Sequence, residues 1–322
     1  VARDLAVIIP AREEWLCGRT VEDILAHTMR DTEVIVCLDG WEPSQAKGDT
    51  LIPSDPRVRV IRFGSSVGQR VAINMAARTT DARFILKTDA HCSFNLGFDE
   101  QLITPYERGE LGWDTTSVPK TVKLLAWQWV CQRCGWRQDQ CAKPTCPACK
   151  HSEELVKEIV WFPKIDQRAD YGRFDKTLQF KYWLEWRKRP GLAGPYVPLM
   201  CLGGGCWMMS RGRFWQLGGL DEAHGGWGQM GVEIALKSWL SGGRQVVNEH
   251  AWYAHMFRAT KDFSFPYKLA HADVEAAKVY SRALWTGNRW PCQVRPLAWL
   301  PAHFEPVPEW HEPAPAQREK VA

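Results

Sequence analysis

The residue order predicts an α/β fold: an open, mostly parallel sheet flanked by helices, with a small module inserted into it. Three observations predict it. Apolar, β-branched runs alternate with stretches of helical spacing across residues 5–91, as right-handed β-α-β crossovers require. Asp39 and Asp89 stand at the ends of two of those runs, where ligands bind in such sheets. Five cysteines fall between positions 131 and 149, four of them in two C-x-x-C pairs, which is the spacing of a metal knuckle pair.

The elements follow in order. Leu5 to Pro10 is a short apolar run closed by proline, Val21 to Thr28 has helical spacing, and Glu33 to Leu38 is a second apolar run; together they read as β-α-β. Arg57 to Phe63 alternates as a strand, Val67 to Ala77 is helical, and Ala82 to Lys87 is a strand leading into Thr88-Asp89-Ala90-His91. Val118 to Val130 and Leu155 to Phe162 read as strands on either side of the cysteines, so that segment caps a hairpin. Glu233 to Ser241 is a helix stopped by Gly242-Gly243, glycine being the usual residue just past a helix end. From Pro291 onward proline and tryptophan become dense and periodicity is lost, as in a tail that wraps the domain or is partly disordered. The organisation expected is a sheet domain over 1–290, a cysteine module at 131–151 within it, and a tail over 291–322.

With 322 residues, 45% of them apolar and 24% charged, the chain has the composition of a globular protein rather than a fibrous or disordered one. Its apolar runs are far shorter than the ~20 residues that cross a bilayer, so no membrane partner is expected. The sequence starts Val1-Ala2-Arg3-Asp4 without an initiator Met, and nothing there reads as a secretory signal. A net charge of +4 excludes a histone-like binder and is compatible with an anionic substrate. Eighteen tryptophans suit stacking on sugars or bases as well as core filling. An odd count of eleven cysteines, four of them in C-x-x-C pairs, predicts a reducing, cytoplasmic compartment.

The chemistry centres on Asp89-x-His91. At the end of a strand, side chains two apart share a face, and a carboxylate beside an imidazole suits Mn²⁺ or a similar divalent ion. Other segments give the pair its context: Val7-Ile8-Ile9-Pro10-Ala11-Arg12-Glu13-Glu14-Trp15; Leu38-Asp39-Gly40; Lys87 to Cys92; Gly172-Arg173-Phe174-Asp175 to Lys181; Gly225-Gly226-Trp227-Gly228 leading to Glu233; and Ala254-His255-Met256-Phe257-Arg258. Taken in this order over roughly residues 5–260, they resemble the GT-A glycosyltransferases, and among them the polypeptide N-acetylgalactosaminyltransferase family.

That resemblance implies a GT-A sheet and a UDP-sugar donor. Asp89, His91 and His255 would ligate Mn²⁺ (or Mg²⁺) at the donor diphosphate. Pro10, Arg12, Glu14, Asp39, Gly68, Arg70, Asn74, Asp89, Gly204 and Trp227 would surround the donor, and Glu233 would position the acceptor hydroxyl as the catalytic candidate. Several have a plainer reading: Asp39 as a turn former before Gly40, Arg70 as a solvated residue at a helix start, Glu233 as a carboxylate favoured there by the helix dipole, Trp227 as core, and Gly203-Gly204-Gly205 as a flexible turn. Two departures stand out. The family's W-G-G-E-N-x-E is here Trp227-Gly228-Gln229-Met230-Gly231-Val232-Glu233, with Met230 where the first Glu belongs, which favours a retaining, front-face outcome. The family's lectin domain has no counterpart, and the cysteine insertion is not a family feature.

Cys131-x-x-Cys134, eleven residues, then Cys146-x-x-Cys149 is the spacing of a zinc ribbon holding structural Zn²⁺, with Cys141 and His151 as alternative ligands. Arg133, Arg137, Lys143 and Lys150 make the module basic. Lys181 to Arg189 interleaves aromatics with cations, suiting phosphate contact and base stacking, or an exposed amphipathic helix. DNA is therefore a candidate partner, and the acceptor expected is a 5-hydroxymethylpyrimidine, as for a viral protein acting in a host cytoplasm. A protein or polysaccharide acceptor, or a non-catalytic nucleic-acid binder on the same fold, are the alternatives.

Overall fold

The computed structural model describes residues 2–258 and 265–310. β1 (Leu5–Ala11) runs through α1 (Cys17–His27) to β2 (Thr32–Asp39), and β3 (Val58–Phe63) runs through α2 (Gln69–Thr79) to β4 (Phe84–Thr88). The short β5 (Cys92–Phe94) and α3 (Phe98–Glu107) lead to the long β6 (Thr115–Cys131), then β7 (Arg137–Asp139) and β8 (Leu155–Arg168). A two-stranded hairpin follows, β9 (Gly172–Phe174) with β10 (Phe180–Tyr182), then β11 (Tyr196–Pro198), β12 (Cys206–Ser210), α4 (Arg211–Gln216), α5 (Met230–Leu240), β13 (Arg244–His255), α6 (His271–Thr286) and α7 (Trp299–His303).

The main sheet is ordered β11-β13-β6-β12-β4-β1-β2-β3. Strands β4, β1, β2 and β3 are parallel, β12 is antiparallel to β4, and β13 is parallel to β6. The apolar runs are unbroken because the parallel strands are covered on both faces. Leu5, Val7 and Ile9 face the core under α1 and α3, whereas Ala6 and Ile8 face the core under α2. Cys206 and Met208 divide from Trp207 and Met209 in the same way. Each fully buried large apolar side chain, such as Phe84 or Phe214, contributes ~1.5–3 kcal/mol of burial free energy.

Register places the site. β13 pairs with β6 as far as Asn248, slips across residues 249–251, and resumes at Trp252. Its last residues also pair antiparallel with β5, setting His255 opposite Cys92. That irregularity carries His255 to the carboxyl end of β4, beside Asp89 and His91.

The strands on either side of the cysteine segment do pair, as β6 with β8. Of the tail, Leu297, Leu300, Phe304 and Val307 join the same core as Trp207 and Phe214; residues 311–322 lie outside the described residues. The segment Lys181 to Arg189 is not an amphipathic helix but the end of β10 followed by a single short turn, and two of its aromatics are not free for stacking. Trp183 and Trp186 are buried. Arg189 stacks on both rings and donates to the carbonyls of Phe304 and Glu305, each at 3.0 Å, so it fastens the tail. Among the described residues, no helix is long and apolar enough to cross a membrane.

Candidate active site

A cleft of about 1010 Å³ opens over the carboxyl ends of β1, β2 and β4. On its floor, the Nε2 of His255 lies 3.1 Å from Asp89 Oδ2 and 3.2 Å from His91 Nε2. One ligand atom from each of Asp89, His91 and His255 falls within 4.8 Å of the others. His91 Nδ1 donates to Glu14 Oε2 at 3.1 Å, which leaves its Nε2 lone pair aimed at the centre of the triad; a carboxylate behind a ligating histidine is the usual second partner in metal sites. Glu14 is itself held by Arg258 at 2.8 Å. Burial would raise the Glu14 carboxyl, but His91 and Arg258 hold it below the usual range. Burial would likewise raise Asp89, and Lys87 and His255 hold it well below that range, so it stands ionised as a ligand must. Two imidazole Nε2 atoms facing each other beside one carboxylate are a donor set that fits a divalent cation.

The glycine-rich walls are tightly built. Gly68 has φ +84°, and a Cβ there would come 2.4 Å from Gly226 Cα; Gln69 N–H donates to Gly226 O at 3.1 Å. The turn before α2 is thus pressed against the loop before α5 across the cleft. A Cβ on Gly205 would meet Tyr253 Oη at 3.0 Å and Asp89 Oδ2 at 3.6 Å, so backbone lies directly beside the triad. Asp39 lines the cleft while its carboxylate accepts from Ser66 Oγ at 2.7 Å, Val67 N–H at 2.6 Å and Gly68 N–H at 3.2 Å.

The family described as glycosyl transferase family 2 matches residues 6–131. A polypeptide N-acetylgalactosaminyltransferase 13 of Drosophila melanogaster is 28% identical over 195 residues, 60% of this chain and 28% of that protein. Polypeptide N-acetylgalactosaminyltransferase 13 of Homo sapiens is 22% identical over 218 residues, 66% of this chain and 33% of the relative. The chain therefore spans about a third or less of the length of these relatives. The crystal structure of GalNAc-T7 with UDP, GalNAc and Mn²⁺ superposes with a TM-score of 0.60 at 17% identity, over 88% of this chain and 48% of that one. The chain has a GT-A-like fold. It resembles the catalytic domain of the polypeptide N-acetylgalactosaminyltransferases, with a cysteine module added.

The cleft is lined by Pro10, Arg12, Glu14, Asp39, Gly68, Asp89, His91, Gly204, Trp227 and His255, all of them marked out in the sequence. Arg70, Asn74 and Glu233 are not brought to its wall. Glu233 is fully buried, paired with Arg70 at 2.8 Å and Lys237 at 2.9 Å, and accepts from Asp221 N–H at 2.6 Å. Burial opposes its ionisation, but Lys237 and Arg70 bring its carboxyl down to about 2. It does not position an acceptor hydroxyl; it anchors Arg70. Arg70 in turn donates to Gly225 O at 3.1 Å and Gly228 O at 2.7 Å, clamping the loop that presents Trp227. Asn74 holds the same region, donating to Leu220 O and accepting from Leu220 N–H. Met230 does line the cleft.

Sequence reasoning passed over Lys87, Tyr171, Phe180, Tyr182, Tyr253 and Tyr267 as cleft residues. Lys87 carried a signal, since a lysine inside an apolar strand run needs a buried partner. The tyrosines carried none.

The four cysteines meet at the tip of the β6–β8 hairpin. Cys131 and Cys149 sulfurs are 3.9 Å apart and Cys134 and Cys146 sulfurs 3.6 Å. A tetrahedral ion with ~2.3 Å bonds to sulfur separates its ligands by ~3.8 Å, and a disulfide would need ~2.05 Å. The two knuckles repeat one backbone design. Gly135 N–H donates to Cys131 O and Lys150 N–H to Cys146 O, with Gly135 and Lys150 both at positive φ. Burial resists ionisation of Cys146, yet the N–H groups of Cys149 and Ala148 bring its thiol down to about 7. Cys141 and His151 are not in the cluster. If the cluster holds zinc, metal analysis of the purified protein will find about one equivalent, lost in Cys146→Ser and Cys149→Ser. A wild type without zinc whose module is still folded would remove this reading. Of the ribbon's cations, Arg133 and Arg137 are neutralised by Glu154 at 2.8 Å and Glu158 at 2.9 Å, whereas Lys143 and Lys150 are exposed.

Proposed function

We propose that this protein is a glycosyltransferase that moves a sugar from a UDP-sugar onto an acceptor hydroxyl, with Mn²⁺ or Mg²⁺ held by Asp89, His91 and His255. The triad on the cleft floor, with His91 oriented by Glu14, carries this reading. Held by these three side chains, the ion would supply positive charge against the departing nucleoside diphosphate. Around it, Gly204 and Gly205 bring backbone against the sugar side of the cleft, Arg258 fixes Glu14, and Arg70 fixes the Trp227 loop. Retention is the outcome we assign: Met230 replaces a carboxylate on the α5 wall and Glu233 is tied up in the interior, so that wall offers no base for inversion. Zn²⁺ in the ribbon is structural, and its four thiolates suit a reducing, cytoplasmic setting.

For the acceptor we favour a 5-hydroxymethylpyrimidine in DNA. Unmodified bases carry no hydroxyl, whereas a hydroxymethyl group supplies the nucleophile and projects into the major groove. Phe180 and Tyr182 line the cleft, and Tyr182 is 54% exposed, as a platform for an extruded base would be. Lys176, Lys181, Arg187 and Lys188 are exposed on the same segment, and Lys143 and Lys150 on the ribbon; both sets support contact with phosphates. A polypeptide acceptor is the second reading, favoured by the names of the relatives. Incubating the protein with UDP-sugars, Mn²⁺ and duplexes containing 5-hydroxymethylcytosine or 5-hydroxymethyluracil, then weighing the digested nucleosides, separates the two. A hexose or N-acetylhexosamine mass gain is expected, with duplex binding that weakens steeply as salt rises. Transfer to peptide or glycan with no gain on any duplex would overturn the DNA reading.

A further inference from the structure

Lys87 is 1% exposed, on a strand whose neighbours Phe84, Ile85 and Leu86 are all core. Alternation places it on the Ile85 face, a position otherwise given to apolar side chains. Its ammonium is hydrogen-bonded to Asp89 Oδ1 and donates to Gly204 O at 2.8 Å and Gly205 O at 3.4 Å. All three of its protons are therefore taken by the cleft floor, so Lys87 does not reach for substrate. It acts on the triad itself.

The consequence lies in the charge count. The donor set is one carboxylate and two imidazoles, and the carboxylate's charge is already met by Lys87. Behind the triad, the charge of Glu14 is met by Arg258. Of the other carboxylates lining the cleft, Asp170 is paired with Arg168 at 3.1 Å, Asp39 accepts from the uncharged Ser66–Gly68 turn, and Asp273 stands on α6. The triad and the carboxylate directly behind it are thus charge-paired before anything binds. Divalent-ion affinity follows the number of anionic ligands, so a neutral set holds such an ion weakly until a diphosphate adds negative charge.

Resting on the proposed donor reading, we propose that Lys87 is a positioning residue that keeps the triad's affinity for a free divalent ion low, so that the ion binds together with the nucleotide diphosphate rather than before it. Lys87 also ties Asp89 to the Gly204-Gly205 backbone, so the metal ligand and the sugar-side wall are set as one unit.

The test is a Mn²⁺ titration of the zinc-loaded protein, read by the free-Mn²⁺ electron paramagnetic resonance signal, with and without UDP. Two variants are compared with the wild type: Lys87→Met, which removes charge and donors, and Lys87→Gln, which removes the charge but keeps an N–H donor in case the apolar Met is not tolerated beside Asp89. Without UDP, both variants are expected to bind Mn²⁺ at least tenfold more tightly than wild type. Tenfold is ~1.4 kcal/mol, well within what Coulomb's law gives for charges a few ångströms apart at an effective dielectric of ~20. Unchanged or weaker Mn²⁺ binding in both folded variants would overturn the role of Lys87. The UDP arm tests the donor reading separately: UDP should tighten Mn²⁺ binding to the wild type, and Mn²⁺ should tighten UDP binding by the same factor. If UDP leaves Mn²⁺ affinity untouched, the donor reading fails whatever the variants show.

Discussion

Glu233→Ala is expected to lower the unfolding free energy by ~3–5 kcal/mol, the cost of leaving buried cations without their carboxylate. Arg70 and Lys237 are 1% and 2% exposed, and both converge on Glu233, so the loss cannot be made good by solvent. The damage should also reach the cleft, since Arg70 holds the carbonyls of Gly225 and Gly228 on either side of Trp227. The same pair gives a pH signature. With its folded-state pKa depressed to about 2, Glu233 contributes stability that is fully present above the unfolded carboxyl pKa of ~4.3 and is lost as pH falls through the folded value. Wild type should therefore lose stability between about pH 4 and 2 more steeply than the variant. Chemical denaturation across that range checks both statements. A cost below ~1 kcal/mol would mean that the ion pair is not formed, and would return Glu233 to the list of cleft residues.

Asp89→Asn should reduce sugar transfer by about a thousandfold or more, the scale on which loss of one preorganised charge-stabilising element is felt. The substitution is nearly isosteric and keeps an acceptor for the Lys87 ammonium, but it removes the one carboxylate that faces both His91 and His255. Zinc content and circular dichroism should be unchanged, because the cysteine cluster lies at the far end of β6, away from β4. If the variant retains a tenth or more of wild-type activity, Asp89 does not hold the ion that the reaction uses.

The first half of the fold was readable because β1, β2 and β4 are covered on both faces and so appear as continuous apolar runs with little polar interruption. α3 and β13 were not. Pro105 falls inside α3, against the usual rule for helix interiors, and β13 breaks its own alternation at the irregularity over 249–251 that delivers His255. Asp89 and His91 could be paired from the strand-end spacing alone, whereas His255, 164 residues beyond His91, came only through the resemblance. Arg70, Asn74 and Glu233 were placed at the donor or acceptor because residue type does not reveal depth. A cue was present nonetheless: Lys237 lies one helical turn beyond Glu233, and an i, i+4 pair of opposite charge on a helix that is otherwise apolar calls for a buried ion pair. The aromatic and cationic residues of 181–189 show the same limit, since the tryptophans are core and Arg189 a clamp, leaving Tyr182, Arg187 and the lysines as the exposed part.

The most direct measurement of the account is UDP release from a panel of UDP-sugars, without acceptor, in wild type and Asp89→Asn, with Mn²⁺ and with excess EDTA after the divalent site has been shown to be empty. The account predicts slow UDP release from at least one donor that requires Mn²⁺, stops under EDTA, returns when Mn²⁺ is restored, and is absent in Asp89→Asn. UDP release that persists undiminished under EDTA, or no release from any UDP-sugar with Mn²⁺ even when hydroxymethylated duplex, peptide and glycan acceptors are added, would contradict it.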